Sequence, residues 1–268
     1  MAYDYQTLQI KNNQGVLTAT INNPPVNVMT DALYMDLVGF TSEVEQDESV
    51  KVVVFQSADP DFFIAHFDVE TILKFETDAP AEKSLEFSDF HLMCERVRTM
   101  QKATIVKMAG RAGGGGNEFA ASCDMRFGLK GKTIINQMEV ALGILPGGTG
   151  TQRLPRLVGR GRAMEICLGS DDIDAETAAQ WGYLNRVFDS ENELDDFVDS
   201  LSKRIACWPA EAIALCKASI NNAEMPLSEG LLEEAFLFQK TLRTEGSQQN
   251  MRKAMAMGLQ TRESELRM

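Results

Sequence analysis

The chain has 268 residues and a formal net charge of -13, from 39 acidic and 26 basic side chains; 44% of its residues are hydrophobic and 24% charged. A chain of this length buries a full core without disulfide or metal staples. The negative balance, with no basic run, argues against a nucleic-acid or anionic-membrane partner. The five cysteines (Cys94, Cys123, Cys167, Cys207 and Cys216) form no Cys-x-x-Cys pair, the pattern of reduced thiols in a cytosolic protein. Met1 to Tyr5 carries no basic region leading into an apolar one, and no stretch approaches 18 apolar residues. Neither a secretory signal nor a membrane span is expected, and the cytoplasm is the expected compartment.

In chain order, Gly15 to Ile21 alternates with period two and predicts a strand. It stops at Asn22-Asn23-Pro24-Pro25, because consecutive prolines cannot continue a ladder. Thr30-Asp31 offers a helix N-cap, followed by the apolar stripe Leu33, Leu37, Val38 and Phe40. Val50 to Phe55 is a nearly continuous β-branched run, which suits a strand buried on both faces. After the turn at Asp59-Pro60-Asp61 comes Phe62 to Asp68; the charged stretch from Lys74 to Asp89 then reads as a mobile connection with a helix resuming near Ser84. Ala103 to Met108 predicts a third strand, which runs into a glycine-rich loop, Gly110 to Gly116, that opens a helix through Asn117 to Ala121. A second glycine-rich turn, Gly143 to Gly150, again precedes helical patterns, and from about Leu201 the chain reads as helix alone. The layout is a mixed α/β core over residues 1–200 with a helical region over 201–268.

Four glycines between a strand and a helix leave backbone N–H groups unobstructed at a positive helix terminus, which suits a bound anion or a developing oxyanion. The same feature also fits a tight turn with close backbone packing. A dinucleotide fingerprint fails because Glu118 stands three residues after Gly115; a phosphate loop ending Gly131-Lys132-Thr133 fails because Arg126 stands where its first glycine belongs. The only histidines are His66 and His91, too few for a metal site built on paired histidines.

The wider pattern is more specific. The segment from Met108 to Asp124, with Gly113-Gly114-Gly115-Gly116-Asn117-Glu118-Phe119-Ala120-Ala121-Ser122-Cys123-Asp124, resembles the crotonase (enoyl-CoA hydratase/isomerase) signature G-x-A-x-G-G-G-x-E-L-A-x-x-C-D. Gln137 to Leu154 looks like the second block of that family, Phe63-Ile64-Ala65-His66-Phe67-Asp68 like its F-x-A-G-x-D turn, and Asn23 to Asn27 like its amino-terminal strand end. The resemblance covers about residues 5 to 200, in order and spacing.

It implies a crotonase-like spiral of ββα units with a carboxy-terminal helical trimerisation region, acting on an acyl-CoA substrate. The backbone N–H groups of Phe67 and Gly115 would form the oxyanion hole. Glu118 and Glu139 would be the catalytic carboxyls of an enoyl-CoA hydratase, with Glu139 nearer the proton given to C2 and Glu118 orienting and activating the water. Val26, Ala65, His66, Asp68, Gly114 and Leu142 fall at substrate-binding positions, with Asp68 equally readable as a loop cap. The thioester supplies the electron sink and the coenzyme A handle belongs to the substrate, so no cofactor or metal is implied. The expected assembly is a homotrimer or a hexamer made as a dimer of trimers, without nucleic-acid or membrane partners.

The chain departs from the family at His66, where glycine is usual, at Met138, where a proline commonly precedes the second glutamate, and at Glu70, where a lysine is frequent. It has one extra residue near Lys130-Gly131-Lys132, and the Phe and Lys that reach coenzyme A from a neighbouring subunit lack counterparts in the methionine-rich Met251 to Gly258. Two glutamates favour a hydratase over a double-bond isomerase, in which the second alone is common. Decarboxylases and thioester hydrolases share the fold, and a non-catalytic or RNA-binding member is disfavoured by the retained carboxyls and the negative charge.

Overall fold

The computed structural model describes residues 3–266. Their elements run β1 (Leu8–Asn13), β2 (Val16–Ile21), α1 (Asp31–Gln46), β3 (Val52–Ser57), β4 (Phe62–Ile64), α2 (Val69–Ile72), α3 (Asp89–Thr99), β5 (Ala103–Met108), β6 (Arg111–Gly113), α4 (Gly114–Ser122), β7 (Met125–Leu129) and β8 (Ile134–Asn136). A 3₁₀ turn over Val140–Leu142 leads to α5 (Gly150–Val158), α6 (Arg160–Gly169), β9 (Ile173–Asp174), α7 (Ala175–Gln180), β10 (Arg186–Phe188) and α8 (Glu191–Ala206). The last helices are α9 (Ala210–Asn221), α10 (Leu227–Leu242), α11 (Glu245–Ala256) and α12 (Arg262–Glu265).

Two sheets carry the strands. The first has the order β1-β2-β3-β5-β7-β10, parallel except for the β1–β2 hairpin; the second has the order β4-β6-β8-β9. The chain steps repeatedly from one to the other: β3, β5 and β7 lie in the first sheet, and β4, β6 and β8 follow each of them into the second. This is the expected spiral of ββα units.

The β-branched run explains the layering. Val53 and Phe55 point into the larger core with Leu33, Leu37 and Phe40 of α1, whereas Val52 and Val54 join Leu194 and Val198 of α8 on the opposite face. A strand buried on both faces needs no polar alternation, and this one has none. Thr30 caps α1 by accepting the Leu33 N–H, and the buried positions Leu33, Leu37, Phe40, Thr41 and Val44 follow helical spacing. Helix α8 spans residue 200 and packs on the sheet, so that face of the core is closed by residues on both sides of this position.

Two expectations are corrected. The helix expected near Ser84 starts at Asp89, capped by Ser88, whose side chain accepts the His91 N–H; residues 74–88 are exposed and hold no regular element. Pro80 and the charged side chains offer that stretch no apolar stripe to bury. The glycines at 114–116 are not a loop ahead of the helix but its first turn, with Gly113 as N-cap. Cβ atoms are excluded there: one on Gly113 would lie 2.3 Å from the Ala65 carbonyl oxygen, and one on Gly116 2.5 Å from that of Ile64. Helix α4 therefore lies directly on the backbone of the β4 segment.

Lys217 fixes α9 to this core. Its buried ammonium donates to Asp124 Oδ2 at 2.9 Å and to the carbonyls of Val97 (3.0 Å) and Lys102 (2.8 Å). Helices α10 and α11 are different, with no buried residue and with Leu231, Leu232, Phe236, Phe238, Met251 and Met255 exposed. Replacing Lys217 by Met leaves the half-buried Asp124 carboxylate without its ion-pair partner, the Thr104 N–H remaining on it, and the expected loss is about 3 kcal/mol of stability. Denaturant unfolding of Lys217→Met checks this; an unchanged midpoint would contradict it.

Candidate active site

The site is built where β4, α4 and the second glycine-rich turn meet. Asn27 positions the β4 segment: its Nδ2 donates to the carbonyls of Phe62 and Phe63, both at 3.2 Å, and to Ser57 Oγ at 2.8 Å. Beyond β4, Met29 and Phe67 form an isolated parallel bridge, made by Met29 N–H to His66 O (2.8 Å) and Asp68 N–H to Met29 O (3.1 Å). That pattern turns the intervening Phe67 N–H away from the bridge. Gly115 lies against it, since a Cβ there would sit 3.6 Å from the Phe67 nitrogen and 3.1 Å from its Cβ. The Gly115 N–H belongs to the first turn of α4 and so has no intrahelical acceptor. Tyr34, Phe67 and Phe90 wall this region, with ring centroids 5.7 to 6.1 Å apart.

Glu118 stands in the second turn of α4 and is buried. One carboxylate oxygen, Oε1, accepts three backbone N–H groups: Gly148 at 2.9 Å, Thr149 at 2.8 Å and Gly150 at 2.7 Å. These are the amides that open α5, whose positive terminus favours a negative charge. A Cβ on Gly148 would fall 2.4 Å from Glu118 Oε2, so glycine alone lets the carboxylate reach them. Burial pushes the Glu118 carboxyl up from its ordinary range, and the three amides pull against that shift.

Glu139 is at the mouth of the 3₁₀ turn, 9% exposed. Its oxygens face the Gln137 Nε2 at 3.3 and 3.4 Å and lie against Gly114, where a Cβ would stand 3.0 Å from Oε1. Burial first, and the charge of Glu118 second, push its carboxyl up to about 7. The same Gln137 nitrogen would be 2.9 Å from a Cβ on Gly150, and Glu118 Oε1 3.1 Å from it, which puts both carboxyls at one spot. One carboxylate is thus held by amides, and its neighbour is poised to carry a proton near neutrality.

The remaining expected positions divide. Ala65 is buried with its carbonyl under Gly113, and Val26 is half-buried. The His66 ring turns back on the main chain, its Nδ1 donating to the Phe67 carbonyl at 2.8 Å, since a carbonyl only accepts. Asp68 is the N-cap of α2 and accepts the Glu70 N–H at 3.0 Å, which is the loop-fixing alternative. Leu142 is 52% exposed on the 3₁₀ turn, its N–H donating to the Glu139 carbonyl at 3.0 Å. A cavity of about 680 Å³ between α9 and the α4–β7 side of the core, lined by Ala121, Cys123, Met125, Ile213 and Ile220, holds neither glutamate. Among the described residues no cluster of histidine, cysteine and carboxylate has a metal-binding arrangement, and no helix is long and apolar enough to cross a membrane.

Comparison with known proteins places the fold in a family. The sequence pattern of the family described as enoyl-CoA hydratase/isomerase matches residues 11–265, so the chain belongs to that family. It is 32% identical over 243 residues to the mitochondrial enoyl-CoA hydratase of Pongo abelii, covering 89% of this chain and 80% of the relative. It is 29% identical over 242 residues to the short-chain-enoyl-CoA hydratase of Clostridium acetobutylicum, covering 88% and 89%. Among solved structures, an enoyl-CoA hydratase of Geobacillus kaustophilus superposes with a TM-score of 0.85 at 25% identity, over 95% of each chain. One from Bacillus anthracis gives the same TM-score at 24% identity over 94% and 96%, which speaks for the shared fold.

The amides of Gly148 to Gly150 that hold Glu118 escaped the reading of the sequence, as did the Gln137 amide that faces Glu139. The second glycine-rich turn was the only legible signal among these.

A pH dependence follows from Glu139. A glutamate in an unfolded chain titrates near ~4.3, whereas here it is pushed up to about 7. The folded state therefore binds this proton more tightly, and the stability linked to it is greatest below the unfolded value and is lost as pH rises through the folded one. Glu139→Gln is expected to be more stable than the parent at pH 8, by on the order of 2 kcal/mol, with the gain shrinking as pH falls from about 7 and gone near ~4.3. Thermal unfolding across pH checks this, and a gain independent of pH would refute it.

Proposed function

We propose that this chain is an enoyl-CoA hydratase that adds water across the C2=C3 bond of a 2-enoyl-CoA thioester. The observation that carries the reading is the unequal pair of carboxyls, Glu118 held by three amides and Glu139 raised to about 7. Family membership and the hydratase names of the relatives support it. Glu118, ionised, accepts a proton from the water as its oxygen bonds to C3. Glu139, protonated, gives its proton to C2. Negative charge develops meanwhile on the thioester oxygen, which the N–H groups of Phe67 and Gly115 receive; each such donor contributes about 3 kcal/mol at the transition state. The product is the 3-hydroxyacyl thioester, with Glu118 neutral and Glu139 ionised, and a proton passed between them through solvent restores the pair. The thioester itself is the electron sink, so these steps call on no cofactor.

In this reading Val26, Ala65, His66, Asp68, Gly114 and Leu142 belong to the substrate-binding surroundings, His66 and Asp68 by shaping the turn that aims the Phe67 amide. Residues 1–200 carry the site and 201–268 serve assembly, as a trimer or a pair of trimers. The exposed apolar side chains of α10 and α11 support that division. The unpaired, mostly buried cysteines fit a cytoplasmic protein.

Loss of enoyl-thioester absorbance with purified protein, over 2-enoyl-CoA substrates of increasing chain length, tests the activity. Glu118→Gln and Glu139→Gln are each expected to lower kcat at least about a hundredfold. In the parent, kcat/KM is expected to fall as pH rises through about 7, because Glu139 then loses the proton it must deliver. Binding of acyl-CoA without hydration at any chain length would overturn the assignment.

A further inference from the structure

Behind Glu139 runs a buried line of polar side chains that, with Glu139, comes from three separate parts of the chain. The hydroxyl of Tyr183, which follows α7, bonds to Asn117 Oδ1 in α4. Asn117 Nδ2 donates to Gln137 Oε1 at 2.9 Å, and Gln137 Nε2 faces both oxygens of Glu139. All three are almost completely buried: Gln137 and Tyr183 at 0% exposure and Asn117 at 1%. Tyr183 is itself fixed by Arg126, whose guanidinium lies 5.2 Å from the centre of its ring while Nε donates to its carbonyl at 2.8 Å. Arg126 is held in turn by the carbonyls of Cys123 (2.6 Å) and Ala120 (3.3 Å).

The line has a direction, and elementary chemistry sets it. An amide oxygen only accepts, so the Tyr183 hydroxyl must be the donor to Asn117 Oδ1. That leaves the Asn117 NH₂ for Gln137, whose oxygen is consumed in accepting it, so the Gln137 NH₂ is the end presented to Glu139. Burial keeps the phenol protonated, which preserves the first donor. Without the hydroxyl, Asn117 loses the donor that fixes its orientation, and the Gln137 NH₂ is then held in place only by the carboxyl it faces. Nothing in the hydration chemistry requires a tyrosine here, since it touches neither carboxyl.

We propose that Tyr183 is a positioning residue for Glu139, acting through Asn117 and Gln137 to hold an N–H donor against that carboxyl. This deepens the hydratase reading and rests on it. The donor favours the charged form of Glu139. It therefore opposes burial and the Glu118 charge, and keeps the proton labile enough to be given away. The titratable groups that face Glu139 directly are Glu118 from α4 and the Cys167 thiol from α6, whose own titration the glutamate perturbs. Arg126 and Tyr183 stand at the far end of the line.

Tyr183→Phe removes the hydroxyl and keeps the ring over Arg126; Asn117→Leu breaks the line at its middle. Two readouts apply to each: the pH profile of kcat/KM with a 2-enoyl-CoA, and the titration of the Glu139 carboxyl followed by ¹³C NMR with glutamate labelled at Cδ, assigned through Glu139→Gln. Both variants are expected to move the titration of Glu139 upward by roughly half a pH unit and the alkaline limb of the profile with it, with kcat down about fivefold. The double variant should shift no further than the larger single one, because both cut the same line. Folded variants whose Glu139 titration stays where it was would overturn the proposal. A parent protein that does not hydrate enoyl thioesters would sink the hydratase reading alone, since the NMR titration still reports on the line.

Discussion

Helix α4 can rest directly on the backbone that leaves β4 because Gly113 and Gly116 bring no Cβ to that contact, and the site is assembled around this approach. Any side chain there would have to displace main chain, not a flexible neighbour, because the atoms it would meet are the carbonyl oxygens of Ala65 and Ile64. The approach sets the Gly115 N–H beside the Phe67 amide and fixes the axis from which Glu118 projects. A glycine-started helix is costly in conformational entropy, about 1 kcal/mol per glycine relative to alanine. What it leaves is a first turn whose N–H groups have no intrahelical acceptor and are not covered by side chains.

The second ingredient is asymmetry between two acids of the same type. Alone, each buried glutamate would tend to stay protonated. Three amides at the start of α5 converge on Glu118, so negative charge settles there first. That charge, together with burial, then pushes Glu139 up to about 7. The difference between the two is made mainly by backbone geometry, to which His91 adds a smaller pull on Glu118. It therefore survives in a protein whose overall charge is -13.

Much of this was legible in the residues. The β-branched run of β3 announced a strand buried on both faces, the Thr30 cap announced α1, and the glycine blocks announced a family that the comparisons bear out, with Glu118 and Glu139 as its candidate site. The start of α3 was misplaced because the charged stretch before it has helical composition but no face to bury. The line from Tyr183 to Glu139 was invisible for another reason. Its members are separated by 66 and 20 residues, and each reads alone as an ordinary helix or turn residue. Only the β7–β8 and β10 returns bring them together. The amides of Gly148 to Gly150 escaped likewise, because main-chain donors leave no mark in sequence beyond their glycines.

We propose that the approach of α4 to the β4 segment presents the Phe67 and Gly115 amides to a thioester oxygen. The carbonyl stretching frequency of a 2-enoyl-CoA bound to the Glu139→Gln protein, which holds the substrate unreacted, reads this directly. The account predicts a clear shift to lower frequency on binding, largely lost when Gly116 is replaced by Ala and the helix is pushed off Ile64. A bound thioester whose carbonyl stretches as it does in water would contradict it.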